Sequence, residues 1–292
     1  MTFDFGAFNN WGTLKAVAVR NPARAFKSDA KIDAEWKDLN FHSRPDLSKA
    51  LKEFEAVEKI LAATGAEVIQ LPDGPGLTLD SLYTHDALVV TPNGLVKPRM
   101  GKPQRRQEAD VNGAYLESLG YPIAGEIGGD GKLEGGDLVW LDRHTLIAGV
   151  GYRTNIEGVM QLQELAGGDV EVLWFDMPHY KGRTDVFHLM SVLSPLDHDL
   201  AVVYLPLMPV RLVELLEHRG VRFVHVPDEE FDSMGCNVLA LGPRHAMMVE
   251  GNPETHHRMR EAGVKVEVIS GSDICRKGEG GPTCMTRPLI RG

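Results

Sequence analysis

A pattern that returns about every fifty residues constrains this chain more than any other feature. Each unit opens with a β-rich run, adds a second short strand, forms a helix that stops at a glycine, and closes on another strand. The opening runs are LKAVAVR from Leu14, DALVVTP from Asp86, DLVWLD from Asp137, HLMSVLS from His188 and CNVLALG from Cys236. The closing runs are AEVIQLP, YPIAGEI, VEVLWFD, VRFVHVP and VKVEVIS. Glycines suited to a left-handed helix C-cap precede them: Gly65, Gly120, Gly167 or Gly168, Gly220 and Gly263. In LSKALKEFEAVEKILAA, the residues Leu47, Leu51, Phe54, Val57 and Leu61 fall on one helix face. Asn155 and the Asn252-Pro253 pair read as helix N-caps, with Pro209 in a similar part. Strands and helices mix in the same order in every unit. That favours an α/β ring of ββαβ repeats, a five-bladed propeller filling residues 1–292 as one domain, over two ordinary α/β domains.

Composition narrows the function. With 43% hydrophobic and 25% charged residues the chain is of the soluble globular class. The cysteines Cys236, Cys275 and Cys284 are odd in number and lack CxxC spacing, which argues against a disulfide framework or zinc ribbon and fits a reducing, cytoplasmic setting. The first residues, MTFDFGAFNNWGTLK, show no basic-then-apolar leader, so no signal peptide is expected. LAVVYLPLMPV is too short and too proline-rich to span a bilayer, so no membrane partner is expected either. A net charge of −10 with scattered basic residues counts against nucleic acid and leaves a small molecule as the expected partner. The histidines show no HExxH-like spacing, and no metal site is expected.

The spacing between units locates a site. Asp86 follows Gly65, His188 follows Gly167 and Cys284 follows Gly263 by 21 residues each. Glu134 follows Gly120 by 14, and Cys236 follows Gly220 by 16. Equivalent positions in a ring point toward the same end of its axis, so Asp86, Glu134, His188 and Cys284 should converge. CMTRPLI then opens a unit that LKAVAVR completes, and pairing the two ends removes an exposed edge. Taken singly, each residue has an ordinary reading: a buried structural thiol, a satisfied histidine, a turn at EGGD, a charge at a strand edge. Together they are the parts of an activated thiol nucleophile: cysteine, histidine, and carboxylates to orient them.

EGGDLVW, the RTN at Arg153–Asn155, the HL at His188–Leu189, the CN at Cys236–Asn237 and GGPTCMT resemble the guanidino-group-modifying enzymes of the pentein superfamily. RNPARAF, DSLY before Asp86 and RMGKPQRR bring the chain nearest to the dimethylarginine dimethylaminohydrolases, over nearly its whole length. The resemblance implies a five-bladed α/β propeller and a hydrolase that needs no metal or organic cofactor. It implies that Cys284 attacks a guanidinium carbon, that His188 protonates the leaving amine and then activates water, and that Glu134 holds His188. Asp86 would grip the guanidinium nitrogens, with Asp80 a further acid on the substrate side. Arg99 and Arg153 would hold the substrate's carboxylate, and RNPARAF would form a mobile lid with Phe26 near the substrate's amino-acid end. An S-alkylthiouronium intermediate would give a citrulline-type ureido product and an amine or ammonia. Relatives are often dimers, so a homodimer follows by analogy.

Two departures bear on the substrate. Arginine deiminases and amidinotransferases carry His-x-Asp at the catalytic histidine, whereas this chain has His188-Leu189-Met190. The missing acid leaves room for an N-substituent and points to methylated arginine or a related guanidino acid. His85 before Asp86 and the ending CMTRPLIR are deiminase-like, which keeps an arginine deiminase or an amidinotransferase as alternatives. A non-catalytic binding protein of the same fold is disfavoured by the presence of all four site residues.

Overall fold

The computed structural model describes residues 6–292, and among these fifteen strands form five three-stranded sheets. In chain order they are β1 (Leu14–Val19), β2 (Glu67–Gln70), β3 (Val89–Thr91), β4 (Gly94–Lys97), β5 (Ile123–Glu126), β6 (Leu138–Asp142), β7 (Thr145–Val150) and β8 (Glu171–Asp176). There follow β9 (Leu193–Asp197), β10 (Leu200–Val203), β11 (Arg222–His225), β12 (Leu239–Gly242), β13 (His245–Val249), β14 (Lys265–Ile269) and β15 (Thr286–Arg291). The sheets are β15-β1-β2, β3-β4-β5, β6-β7-β8, β9-β10-β11 and β12-β13-β14. In every one the first pair is antiparallel and the second pair parallel. A tight turn suffices for an antiparallel neighbour, but a parallel one needs a crossover. Helices Leu47–Ala63, Glu108–Ser118, Ile156–Ala166, Val210–His218 and Pro253–Glu261 supply it.

The repeat read from the sequence is therefore present. CMTRPLI opens the unit that LKAVAVR continues, as the pairing of the two ends required: β15 pairs antiparallel with β1, Thr286 opposite Val19, and LKAVAVR is the middle strand. HLMSVLS begins with a 3-10 turn, Leu189–Ser191, and its strand starts only at Leu193. The capping glycines Gly65, Gly120, Gly167, Gly220 and Gly263 have φ values from 75° to 94°, a region that a side chain would strain.

Local signals held to different degrees. Helix Leu47–Ala63 buries Ala50, Phe54, Val57 and Leu61, while Leu47 and Leu51 lie half-buried at the margin of that face. Asn155 caps its helix by accepting from Gly158 N at 2.9 Å. Asn252 stands at a cap position but makes no cap bond, and its Oδ1 accepts from Ser233. The buried Glu230 carboxylate does the capping instead, accepting from Glu254 N at 2.7 Å and Thr255 N at 2.8 Å, where a negative charge suits the helix N-terminus. Among the described residues no helix is long and apolar enough to cross a membrane.

Candidate active site

Turns leading into the opening strands of four units meet at one point. Asp86 precedes β3, Glu134 precedes β6, His188 precedes β9 and Cys284 precedes β15. Asp86, His188 and Cys284 line a small pocket with Asp80, Lys102, Arg105 and Arg153, and about 20 Å³ of it is free. Glu134, 0% exposed, lies behind His188, and its Oε2 is 2.7 Å from His188 Nε2. His188 Nδ1 is left facing Asp86 Oδ1 at 3.9 Å. The glycines of EGGD make this approach possible. A Cβ on Gly136 would fall 2.5 Å from His188 Nδ1 and 2.8 Å from Asp86 Oδ1.

Each carboxylate is held by the chain's own donors. Glu134 Oε2 lies 3.1 Å from Arg153 Nη1, and its Oε1 accepts from Lys102 N at 3.0 Å. Asp86 Oδ1 accepts from Gly136 N at 2.9 Å, and Oδ2 from Arg105 Nη1 at 2.6 Å. Arg105 is in turn locked by a two-point contact with Glu108 and by donation to Tyr83 O at 2.6 Å. Lys102 Nζ sits 2.6 Å from Asp80 Oδ2 and donates to Leu39 O at 2.9 Å.

These charges set the protonation states. Burial alone would depress His188, but Asp86, Asp137 and Glu134 outweigh it and hold the imidazole up at about 9. Burial works against ionised Asp86 too, yet His188 and Arg105 keep its carboxyl well below the usual carboxylate range. Glu134 is likewise lowered, burial being overcome by Arg153 and His188. Burial, with Asp86 beside it, pushes the Cys284 thiol up to about 11. Near pH 7 the site therefore rests as an imidazolium, two carboxylates and a neutral thiol.

Of the eight residues expected from the sequence, the structure brings six together: Cys284, His188, Glu134, Asp86, Asp80 and Arg153. Two expectations are corrected. Arg99 is half-buried and donates to Gly131 O at 3.3 Å, outside the pocket, and Lys102 lines the pocket in its stead. Phe26 is 0% exposed and packs edge-on to Phe41 in the apolar core, with ring centroids 6.4 Å apart. RNPARAF does not cover the pocket either. Asn21 caps a short helix there, Pro22–Ala25, and Arg20 is buried, donating to Pro72 O and Ser81 O. Leu39 and Asn40 are the N-terminal residues that line the pocket.

The sequence reading missed Arg105, Lys102 and Asn237. The first two lie in RMGKPQRR, a motif noted without a role. Asn237 Nδ2 donates to Cys284 Sγ at 3.1 Å. One atom each from Asp86, Glu134 and His188 lie within 4.8 Å of one another, a spacing that suits a metal ion. Arg105 and Arg153 already neutralise those carboxylates, so a cation there would have to displace or oppose two guanidinium groups.

The family model described as N,N dimethylarginine dimethylhydrolase, eukaryotic, matches residues 22–291. An uncharacterized protein of Bacillus subtilis, YkgA, is 25% identical across 97% of this chain and 94% of its own. An arginine deiminase of Mycoplasma capricolum is 26% identical across 91% of this chain and 76% of its own length. Among solved structures, a mutant dimethylarginine dimethylaminohydrolase from Pseudomonas aeruginosa, complexed with citrulline, superposes with a TM-score of 0.74 at 24% identity, covering 95% of this chain and 100% of that one. The N-terminal domain of a cyanobacterial arginine dihydrolase gives 0.79 at 19% identity, covering 94% and 97%. At these identities the structural likeness speaks for the fold alone.

Proposed function

The chain belongs to the N,N dimethylarginine dimethylhydrolase family and is an enzyme that hydrolyses amidine C–N bonds; from this we propose that it is a cysteine hydrolase of Nω-methylated arginine or a related guanidino acid, built as a single five-bladed pentein propeller. The observation that carries the reading is the convergence of Cys284, Asp86 and the His188–Glu134 pair in one buried pocket.

The chemistry follows from the protonation states. A guanidinium is a permanent cation at neutral pH. Seated against Asp86 and Asp80, it brings positive charge beside Cys284 Sγ and lowers the thiol from about 11 toward ionisation. The thiol proton leaves to solvent, and the thiolate attacks the guanidinium carbon. Glu134 occupies Nε2 of His188, so Nδ1 is the atom that hands a proton to the departing amine. The amine leaves an S-alkylthiouronium on Cys284. Water then gives a proton back to His188 and adds to the same carbon as hydroxide; as the C–S bond breaks, the hydroxyl proton passes to the departing sulfur, restoring the thiol and releasing a ureido product. Arg153, with Lys102 beside it, offers positive charge to a substrate carboxylate. Leu189 and Met190 are 0% and 6% exposed and packed in an apolar cluster, so no second acid follows His188 to grip an unsubstituted nitrogen. The three free cysteines fit a cytoplasmic setting.

Arginine itself, as in a deiminase, is the second reading, favoured by the Mycoplasma capricolum relative. Incubation with methylated arginines, arginine and other guanidino acids, read by ureido-group formation, tests both. Product from methylated arginine supports the first reading, product from arginine alone the second, and no product from any compound overturns the hydrolase.

A further inference from the structure

We propose that Asn237 is a further catalytic group, whose side-chain amide donates to Cys284 Sγ and stabilises the thiolate that attacks. This rests on Cys284 being the nucleophile. The contact is built rather than incidental. Asn237 Oδ1 accepts from Thr283 N at 3.1 Å, which fixes the amide so that Nδ2, the donor, faces sulfur at 3.1 Å. Turning the amide over would set a lone pair against sulfur and two donors against each other. Gly281 leaves the space, since a Cβ there would lie 2.5 Å from Asn237 Oδ1. The GGP run before Cys284 thus has a reason in the packing of this amide.

A hydrogen bond to the charged form of a group favours that form. Burial and the Asp86 carboxylate both oppose the thiolate, and the Asn237 amide acts against them. When Sγ–H gives its proton to solvent, Nδ2–H remains on the sulfur lone pair with no change of oxidation state. Other charged groups line the pocket with Cys284. Asp80, Asp86 and Glu279 disfavour its ionisation, while Lys102, Arg105, Arg153 and protonated His188 favour it, and Tyr83 stays neutral. The other side of Asn237 lines a cavity of about 450 Å³ with Asp185, Glu229, Asp232, Lys181, Arg276 and His42. Replacing Asn237 by alanine alters none of these charges, so a change in Cys284 reports on the amide.

The test is the rate of Cys284 alkylation by iodoacetamide between pH 7 and pH 10, read by peptide mass mapping, in the wild type, Asn237→Ala and Asn237→Asp. Loss of the donor should slow alkylation at least about threefold at each pH, because less thiolate outweighs its greater intrinsic reactivity. Asn237→Asp should slow it further: the carboxylate keeps the acceptor for Thr283 N, loses the donor and adds negative charge. This isosteric variant decides the matter should the alanine variant unfold. Wild-type rates in a folded variant overturn the proposal and leave the hydrolase reading standing. An unreactive Cys284 in the wild type overturns both.

Discussion

Cys236 and Cys284 occupy nearly the same place in two neighbouring units, three residues before β12 and two before β15, yet their surroundings differ in kind. Cys236 is 1% exposed, packs with Leu196, Val202 and Val238, and donates only a long contact to Val202 O at 3.6 Å. Burial alone drives its thiol far above the ordinary range. Cys284 is half-buried, accepts from Asn237 and faces charged groups on the other units. In the fifth unit the residue that reaches Cys284 is the next one along, Asn237. The repeat fixes where a turn approaches the centre; a one-residue offset decides which side chain looks into it and which into the apolar layer.

Substituting each thiol in turn separates the two sites. Cys284→Ser should cut ureido formation at least about 10³-fold, while Cys236→Ala should keep it within about threefold and lower the melting temperature by the equivalent of about 1 kcal/mol. Equal losses in the two variants would erase the distinction.

Arg105 is the next lever, since it neutralises Asp86 and Glu108 at once. Arg105→Ala leaves two buried carboxylates without their cation and should destabilise the fold by about 3–5 kcal/mol in denaturant titration. A shift below about 1 kcal/mol would mean that the charges are solvated and the pocket is not held as described.

Glu134→Gln should lower turnover about 10²-fold and move the alkaline limb of the kcat/KM profile to lower pH, because one of the carboxylates holding His188 up at about 9 is gone. An unmoved limb would show that another group sets it.

The smallest expected effect is on stability against pH. Its carboxylate neighbours hold His188 up at about 9 in the folded chain, above the roughly 6.5 of an ordinary imidazole, so the folded state keeps a proton that the unfolded chain gives up. Its stabilisation is complete below pH 6.5 and lost as pH rises through 9. Melting temperatures across that window should fall more in the wild type than in His188→Gln; parallel curves would refute the assignment.

How much of this was legible in the chain depends on what kind of interaction fixed each part. The units, the five closing strands and the five capping glycines were readable because hydrophobic period and positive φ are local properties. The spacing of 21 residues placed Asp86, His188 and Cys284 because each interval spans one closing strand and the link to the next unit. Phe26 and Arg99 lie away from the pocket, and Asn252 stands at its cap position without a cap bond, for one shared reason. Their partners, Phe41, the Gly131 carbonyl and Ser233, come from elsewhere in the chain, and no local pattern announces them. Lys102 and Arg105 were quoted in a motif, but their work depends on Asp80, Asp86 and Glu108 meeting across turns. Asn237 stood beside Cys236 and was overshadowed by it.

The central claim is that Cys284, alone of the three cysteines, becomes covalently bonded to a guanidinium carbon during turnover. Rapid acid quenching with a methylated arginine or arginine, followed by peptide mass mapping, tests it directly. The account predicts a thiouronium adduct on the peptide carrying Cys284, growing in before ureido product reaches its steady rate and absent from Cys284→Ser. Ureido product formed with no adduct on that peptide, or with the adduct on Cys236 or Cys275, would contradict it.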